Sequence, residues 1–218
     1  VLPSGRLRPH EALAFGIVAS TASIAIMAWQ LNAAAACVLA ATVFCYAVLY
    51  TMAMKRRTVL SVPVAGGLAG MLTPLTGWSA AAGSIDQSAM ILFAYVFFWT
   101  PPHVWSQANY QVADYERAGI PMLPVVAGLR AARNWILIFT IVHVVVAAWP
   151  CFTGDAGLLY LSVSSLAGAG LTWKAVKLYR SADDEETVRE ARTYFRLSIA
   201  YIVTLLIAVC LDRLLLVP

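Results

Sequence analysis

The sequence predicts an all-α polytopic membrane protein with seven transmembrane helices. Three observations carry this. Of the 218 residues, 61% are hydrophobic and only 12% are charged, about half the charged share of a soluble domain. The apolar residues fall in blocks of about 20, the length a helix needs to cross a bilayer. Fourteen of the fifteen basic residues lie in alternate connections between those blocks, the asymmetry that orients membrane helices. The net charge of +4 therefore reports orientation and gives no reason to expect a nucleic-acid partner.

The predicted spans are 11–29, 33–53, 60–82, 88–108, 134–150, 157–174 and 196–212, forming a single transmembrane domain over 1–218. Arg6 and Arg8 precede the first span. Lys55, Arg56 and Arg57 follow the second, and Arg117, Arg130 and Arg133 follow the fourth. Lys174, Lys177, Arg180, Arg189, Arg192 and Arg196 lie between the sixth and seventh. Only Arg213 falls on the other side, so the basic side is cytoplasmic or matrix-facing. Trp29, Trp78 and Trp149 fall at the outer ends, where an amphipathic ring suits the interface. Cys37, Cys45, Cys151 and Cys210 have no metal-ligand spacing and read as small core residues. No cleavable signal peptide is visible, and the opening Val1-Leu-Pro-Ser-Gly-Arg6 reads like the middle of a loop.

Two inner connections are long, about 109–133 and 175–195, and long connections often carry function. The second reads as a helical lead-in to the last span. Ser181 can cap it, Asp183, Asp184, Glu185 and Glu186 suit its positive end, and Arg189 can pair with Glu185. Gly66 and Gly70 form a small-xxx-small pair, and Gly168 and Gly170 lie in the sixth span. Such residues allow close helix packing. Gly66, Gly70 and Gly77 would alternatively leave room for a bulky flat ligand.

Chemistry is expected at the inner rim. Asp114 follows a span ending in Ser106, Gln107 and Asn109. A carboxylate there can hold Mg²⁺, which can bridge to a diphosphate. An ordinary loop aspartate is the plainer reading. Lys55, Arg56 and Arg57 share that side, where they would neutralise a diphosphate leaving group or simply anchor the topology. His103 follows Pro101 and Pro102, which are expected to break the helix. Such a histidine could ligate or bond a haem, move a proton, or merely pack. His143, mid-span, is either functional or a buried imidazole bonded to a neighbouring helix. His10 reads as an interfacial loop residue.

Four runs in order then resemble a known family: Tyr50-Thr-Met-Ala-Met-Lys55-Arg-Arg-Thr58, Gly70-Met-Leu-Thr-Pro74-Leu-Thr-Gly77-Trp78, Trp99-Thr-Pro-Pro-His103-Val-Trp105, and Asp114-Tyr115-Glu-Arg117-Ala-Gly119-Ile-Pro-Met-Leu-Pro124-Val-Val126. The opening Leu2-Pro-Ser-Gly-Arg6 and Glu11-Ala-Leu-Ala-Phe-Gly16 agree. The chain resembles the protohaem IX farnesyltransferases, or haem O synthases, of the intramembrane aromatic prenyltransferase (UbiA) superfamily. The resemblance implies a nine-helix bundle around a cavity open to the cytoplasm. It implies Mg²⁺-assisted transfer of farnesyl from farnesyl diphosphate to a vinyl group of haem B, giving haem O. It assigns Asp114 to metal and catalysis, and Lys55, Arg56 and Arg57 to catalysis. His103, Tyr50, Trp99, Trp105, Tyr115 and Arg117 are assigned to substrate, with Tyr46 as a further cavity wall. The implied setting is the bacterial cytoplasmic membrane, with the mitochondrial inner membrane second and oxidase-assembly proteins as possible partners.

Two departures accompany the resemblance. The family carries an earlier aspartate-rich loop just ahead of an Arg-Pro-Leu-Pro-Ser-Gly segment, and this chain starts inside that segment. The seven spans then correspond to the last seven of nine. The first two helices and first aspartate-rich loop lie outside the chain, which alone is expected to be catalytically incompetent. The family also usually has an asparagine soon after the Lys-Arg-Arg run, where this chain has Val59-Leu-Ser-Val-Pro63. The alternatives are an intramembrane prenyltransferase with a quinone- or chlorophyll-type acceptor, a transporter, or a non-catalytic membrane fragment.

Overall fold

Seven long helical segments follow in the predicted order. The structure, a computed structural model, describes residues 4–182 and 184–216. Val1, Leu2 and Pro3 of the opening run, and Asp183, lie outside the described residues. Helix α1 is Pro9–Gln30. Helix α2 starts at Ala33–Val43 and continues as a π-helix over Phe44–Met54. Helix α3 opens with a 3₁₀ turn at Val59–Ser61, widens to a π-helix at Val62–Gly66 and runs as α-helix over Gly67–Ala82. Then come α4 (Gln87–Tyr110), α5 (Val112–Arg117), α6 (Leu123–Ala147), α7 (Trp149–Phe152), α8 (Leu158–Tyr179) and α9 (Asp184–Leu216).

The segments containing α1, α2, α3, α6 with α7, and α9 are each long and apolar enough to cross a membrane by themselves. Helices α4 and α8 have similar lengths, 24 and 22 residues. Their polar content lowers their hydropathy: Ser106, Gln107 and Asn109 in α4, and Ser164, Lys174 and Lys177 in α8. They pack among the other helices, with Ser106 donating to His103 O at 2.7 Å, Asn109 Nδ2 to Trp105 O at 3.0 Å, and Lys174 paired with Glu190 at 3.0 Å.

Local chemistry sets the ends. The Asn32 side chain accepts from Ala35 N at 2.8 Å and donates to the Ser79 carbonyl at 2.9 Å, capping α2 and tying that outer turn to the end of α3. Asp86 caps α4 by accepting from Ala89 N at 2.9 Å. Gly83, at φ 72°, supplies the left-handed residue that stops α3.

Three local expectations are corrected. Pro101 and Pro102 do not break α4, which runs unbroken through both. Both prolines are buried against neighbouring elements, and packing on several sides holds the helix straight enough to continue. The connection 109–133 is not one long loop. It holds α5 and the first turns of α6, with the chain turned at Gly128 (φ 82°). Arg189 pairs with Glu186 at 3.9 Å rather than with Glu185, and the Ser181 hydroxyl donates back to Leu178 O at 2.8 Å. The lead-in itself is helical and fuses with the last span into the 33-residue α9.

The main core lies among α4, α6, α8 and α9. Tyr95, Trp105, Ile136, Leu171, Leu178, Tyr194 and Leu205 are its larger members. Glycine makes two of the approaches possible. A Cβ on Gly168 would lie 2.8 Å from a Val144 methyl, and one on Gly67 would lie 2.9 Å from the Phe97 ring.

Candidate active site

A cavity of about 620 Å³ opens between α2, α3 and α4 and reaches the inner loop that carries α5. Its walls follow from two departures from regular helix. The π-helical part of α2 turns Tyr46, Tyr50 and Lys55 onto one side, where all three line the cavity. The π-helical start of α3 faces it and contributes Gly66. Wide helical turns of this kind recur at functional sites. Gly66 and Gly70 line the cavity directly, and a Cβ on Gly70 would stand 3.1 Å from Thr100 Oγ1. They therefore open space rather than only bringing backbones together. Gly77 does not line it.

Helix α4 presents two different faces. Thr100, Val104 and Gln107, spaced one and two turns apart, line the cavity. Trp99 and His103 face α9 instead. The Trp99 indole donates to Ser198 O at 2.9 Å, and His103 Nδ1 lies 2.8 Å from Ser198 Oγ. The His103 ring is stacked between Trp99 and Phe195, with centroids 4.2 and 4.4 Å away. Trp105 is buried edge-on against Phe139 of α6. The structure thus brings Tyr50, Lys55 and Tyr115 together and sets Trp99, His103 and Trp105 apart from them. His143 is buried on α6 between Tyr95 and Tyr201, with centroids at 4.7 and 5.4 Å, also away from the cavity lining.

At the mouth, Lys55 Nζ stands 5.8 Å from the Tyr50 ring centroid. Tyr46 and Tyr50 lie 5.7 Å apart, tilted by 31°. Tyr115, on α5, closes the inner side of the lining. Burial pushes its phenol pKa up, and Tyr110 adds to the effect, so it remains a protonated donor at neutral pH. Asp114 is the next residue. Its carboxylate is exposed and accepts from Arg117 Nη2 at 2.5 Å. Arg56 and Arg57 are exposed beside Lys55.

A single carboxylate, that of Asp114, adjoins the lining residue Tyr115 in the chain. Among the described residues no three His, Cys, Asp or Glu side chains cluster to hold a metal by themselves. Asp114 offers one exposed carboxylate, and Mg²⁺ commonly takes one or two carboxylates and completes its shell with water and substrate phosphates.

Ser20, Thr42, Val43, Ala47 and Ala69 line the cavity but lie outside every motif of the sequence, and Thr73, Thr100, Val104 and Gln107 lie within or beside those motifs without an expected cavity role. A signal existed: Thr100 and Gln107, spaced i, i+7, are polar residues on one face of α4. The aromatic residues of the same run drew the assignment away from that face.

The chain belongs to the UbiA prenyltransferase family, which it matches over residues 1–210. It is 43% identical over 201 residues to the protoheme IX farnesyltransferase of Azorhizobium caulinodans, covering 92% of this chain and 65% of that one. It is 45% identical over 217 residues to the protoheme IX farnesyltransferase of Gluconacetobacter diazotrophicus, covering 97% and 69%. The chain therefore spans about two thirds of the length of these relatives. A solved structure of digeranylgeranylglyceryl phosphate synthase shares the fold, with a TM-score of 0.76 at 17% identity, covering 97% of this chain and 72% of that one.

Proposed function

We propose that the protein transfers a farnesyl group from farnesyl diphosphate to a vinyl group of haem B, giving haem O, in a bacterial cytoplasmic membrane. The observation that carries this reading is the cavity, with an aromatic wall of Tyr46 and Tyr50 below a cationic mouth at Lys55. The names of the relatives supply the acceptor and the prenyl group. A cavity of about 620 Å³ is in the size range of small-molecule sites.

The reaction has two electrostatic demands. The C–O bond of the diphosphate breaks, and the electron pair leaves with the diphosphate. Lys55, Arg56 and Arg57 offset that charge at the mouth, where preorganised cations stabilise a leaving group most effectively. Asp114 would hold Mg²⁺ there, and the bound ion would neutralise diphosphate oxygens as the bond opens. Arg117, paired with Asp114, orients its carboxylate and adds positive charge. Below, the allylic cation needs negative π faces and little water. Tyr46 and Tyr50 present such faces, and Tyr115 closes the rim. The vinyl carbon then attacks the cation. Water adds to the resulting porphyrin-side cation and loses a proton, leaving the hydroxyl.

Trp99, His103 and Trp105 fit this reading as the frame of α4 rather than as substrate contacts. Their partners are Ser198, Phe195 and Phe139.

The test uses membranes carrying the protein expressed from its own gene, supplied with Mg²⁺, farnesyl diphosphate and equal haem B and a quinone precursor. The expected product is farnesylated, hydroxylated haem. Prenylation of the quinone precursor alone would move the acceptor assignment elsewhere in the family. Asp114→Asn and Lys55→Gln should each lower turnover by about a hundredfold while leaving the thermal midpoint nearly unchanged.

A further inference from the structure

A second cavity, of about 520 Å³, opens at the inner membrane face among Arg130, Arg133, Asn134, Tyr179, Arg180 and Ser181. It lies where α6, the end of α8 and the turn into α9 meet, and it shares no lining residue with the first cavity. Nothing in the proposed transfer reaction uses it.

Its charge is built in. Arg133 is half-buried and fixed. Its Nη1 donates to Ser181 O at 2.7 Å, Ser181 Oγ at 2.6 Å and Thr187 Oγ1 at 3.1 Å. All three partners are neutral oxygens, and its Nε is buried without a hydrogen-bond partner among the described residues. No carboxylate pairs with Arg130, Arg133 or Arg180 among the described residues. The described acids of the adjoining turn, Asp184, Glu185 and Glu186, are engaged elsewhere or open to water. Glu186 accepts from Ala182 N at 2.8 Å and faces Arg189, while Asp184 and Glu185 are exposed. A partly buried guanidinium without a counter-charge calls for an anion, and arginine forks match phosphate oxygens.

The surroundings fix the depth. Tyr179 on the cavity rim and Trp135 on α6 are both exposed, and Trp173 sits within 5.3 Å of Lys174 Nζ and 5.2 Å of Lys177 Nζ. Exposed aromatic rings beside the exposed Lys177 mark the headgroup level of a membrane. We propose that this cavity is a phosphate-binding site at the inner leaflet, suited to the headgroup of an anionic phospholipid. Basic pockets between membrane helices bind such groups.

The experiment titrates purified protein in neutral detergent with phosphatidylglycerol, phosphatidylcholine or inorganic phosphate, reading retained lipid by native mass spectrometry and the thermal midpoint in parallel. Phosphatidylglycerol should bind more tightly than phosphatidylcholine and raise the midpoint. Arg130→Gln with Arg180→Gln should weaken it by about thirtyfold, and either change alone by about fivefold. Arg133 stays in place because it holds Ser181 and Thr187. A midpoint shift with inorganic phosphate that also displaces the lipid supports the phosphate site and assigns a free phosphate compound as its occupant. Equal binding of the two lipids with no response to phosphate overturns the proposal, as does wild-type affinity in the folded double variant.

Discussion

The α4, α6, α8 and α9 half of the molecule and the α1 to α3 half are built differently. In the first, polar cross-links reinforce a continuous core. Tyr194 meets Thr140 at 2.6 Å, Lys174 pairs with a nearly buried Glu190 at 3.0 Å, and Asp212 of α9 accepts from the backbone N–H groups of Gly157 and Tyr160 at the start of α8. On the outer side, Asp155 joins Ser88 at 2.7 Å and Arg213 at 2.6 Å, tying the head of α4 to the tail of α9. In the second half, α1 buries no residue, and a small cluster joins Val38 of α2 and Leu75 of α3 to Ala89 of α4. The cavity lies where the two halves meet. One wall is a braced α-helix, and the other is a pair of wide π-helical turns. The cationic and aromatic groups, Lys55, Tyr46 and Tyr50, stand on the π-helical wall, and the braced α4 wall opposes them with Thr100, Val104 and Gln107.

The sharpest way to break this contrast is to cut a brace. Glu190→Gln leaves the largely buried Lys174 without its carboxylate partner. It should cost about 3 kcal/mol, read as a lower urea or heat midpoint for loss of helicity. A change of similar size from Thr42→Val, which loosens only α2 against α3, would erase the distinction between the halves. His103→Ala removes two ring stacks and the Ser198 hydrogen bond. The expected loss is about 2 kcal/mol with haem affinity unchanged by optical titration; a shifted Soret band or weaker binding would return His103 to the substrate. Gly168→Ala drives a methyl into Val144 and should cost about 1 to 2 kcal/mol.

How far the sequence reveals this division depends on the kind of signal. Helix number and order are readable because hydropathy and basic loops act over whole spans. The fates of individual α4 residues are not. Trp99 and Thr100 are neighbours in sequence, yet one meets α9 and the other lines the cavity. An apolar helix inside a bundle gives little amphipathic pattern to tell those sides apart. The π-helical turns of α2 and α3 likewise leave no simple composition signal. Asp114 and Lys55 are readable as candidates because charge is rare in so apolar a chain, and Tyr115 because it directly follows Asp114 in a matched run.

The smallest expected effect concerns pH at the outer end. Burial raises the Asp155 pKa, but hydrogen bonds from Ser88 and Thr153 and the Arg213 guanidinium outweigh it, so the net shift is downward. A depressed carboxylate contributes stability above its unfolded pKa and loses it as pH falls through the folded value. The thermal midpoint should therefore fall on acidification through and below the ordinary aspartate range. Asp155→Asn should flatten that fall, and an unaltered pH profile would remove Asp155 from the brace.

The most direct measurement is photoaffinity labelling with a farnesyl diphosphate analogue bearing a diazirine on its prenyl chain, mapped by mass spectrometry. Labels on Tyr46, Tyr50, Thr100 and Val104 are the predicted result. Labels concentrated on Trp99, His103 and the Phe195 face of α9, with the Tyr46 and Tyr50 wall untouched, would contradict the account.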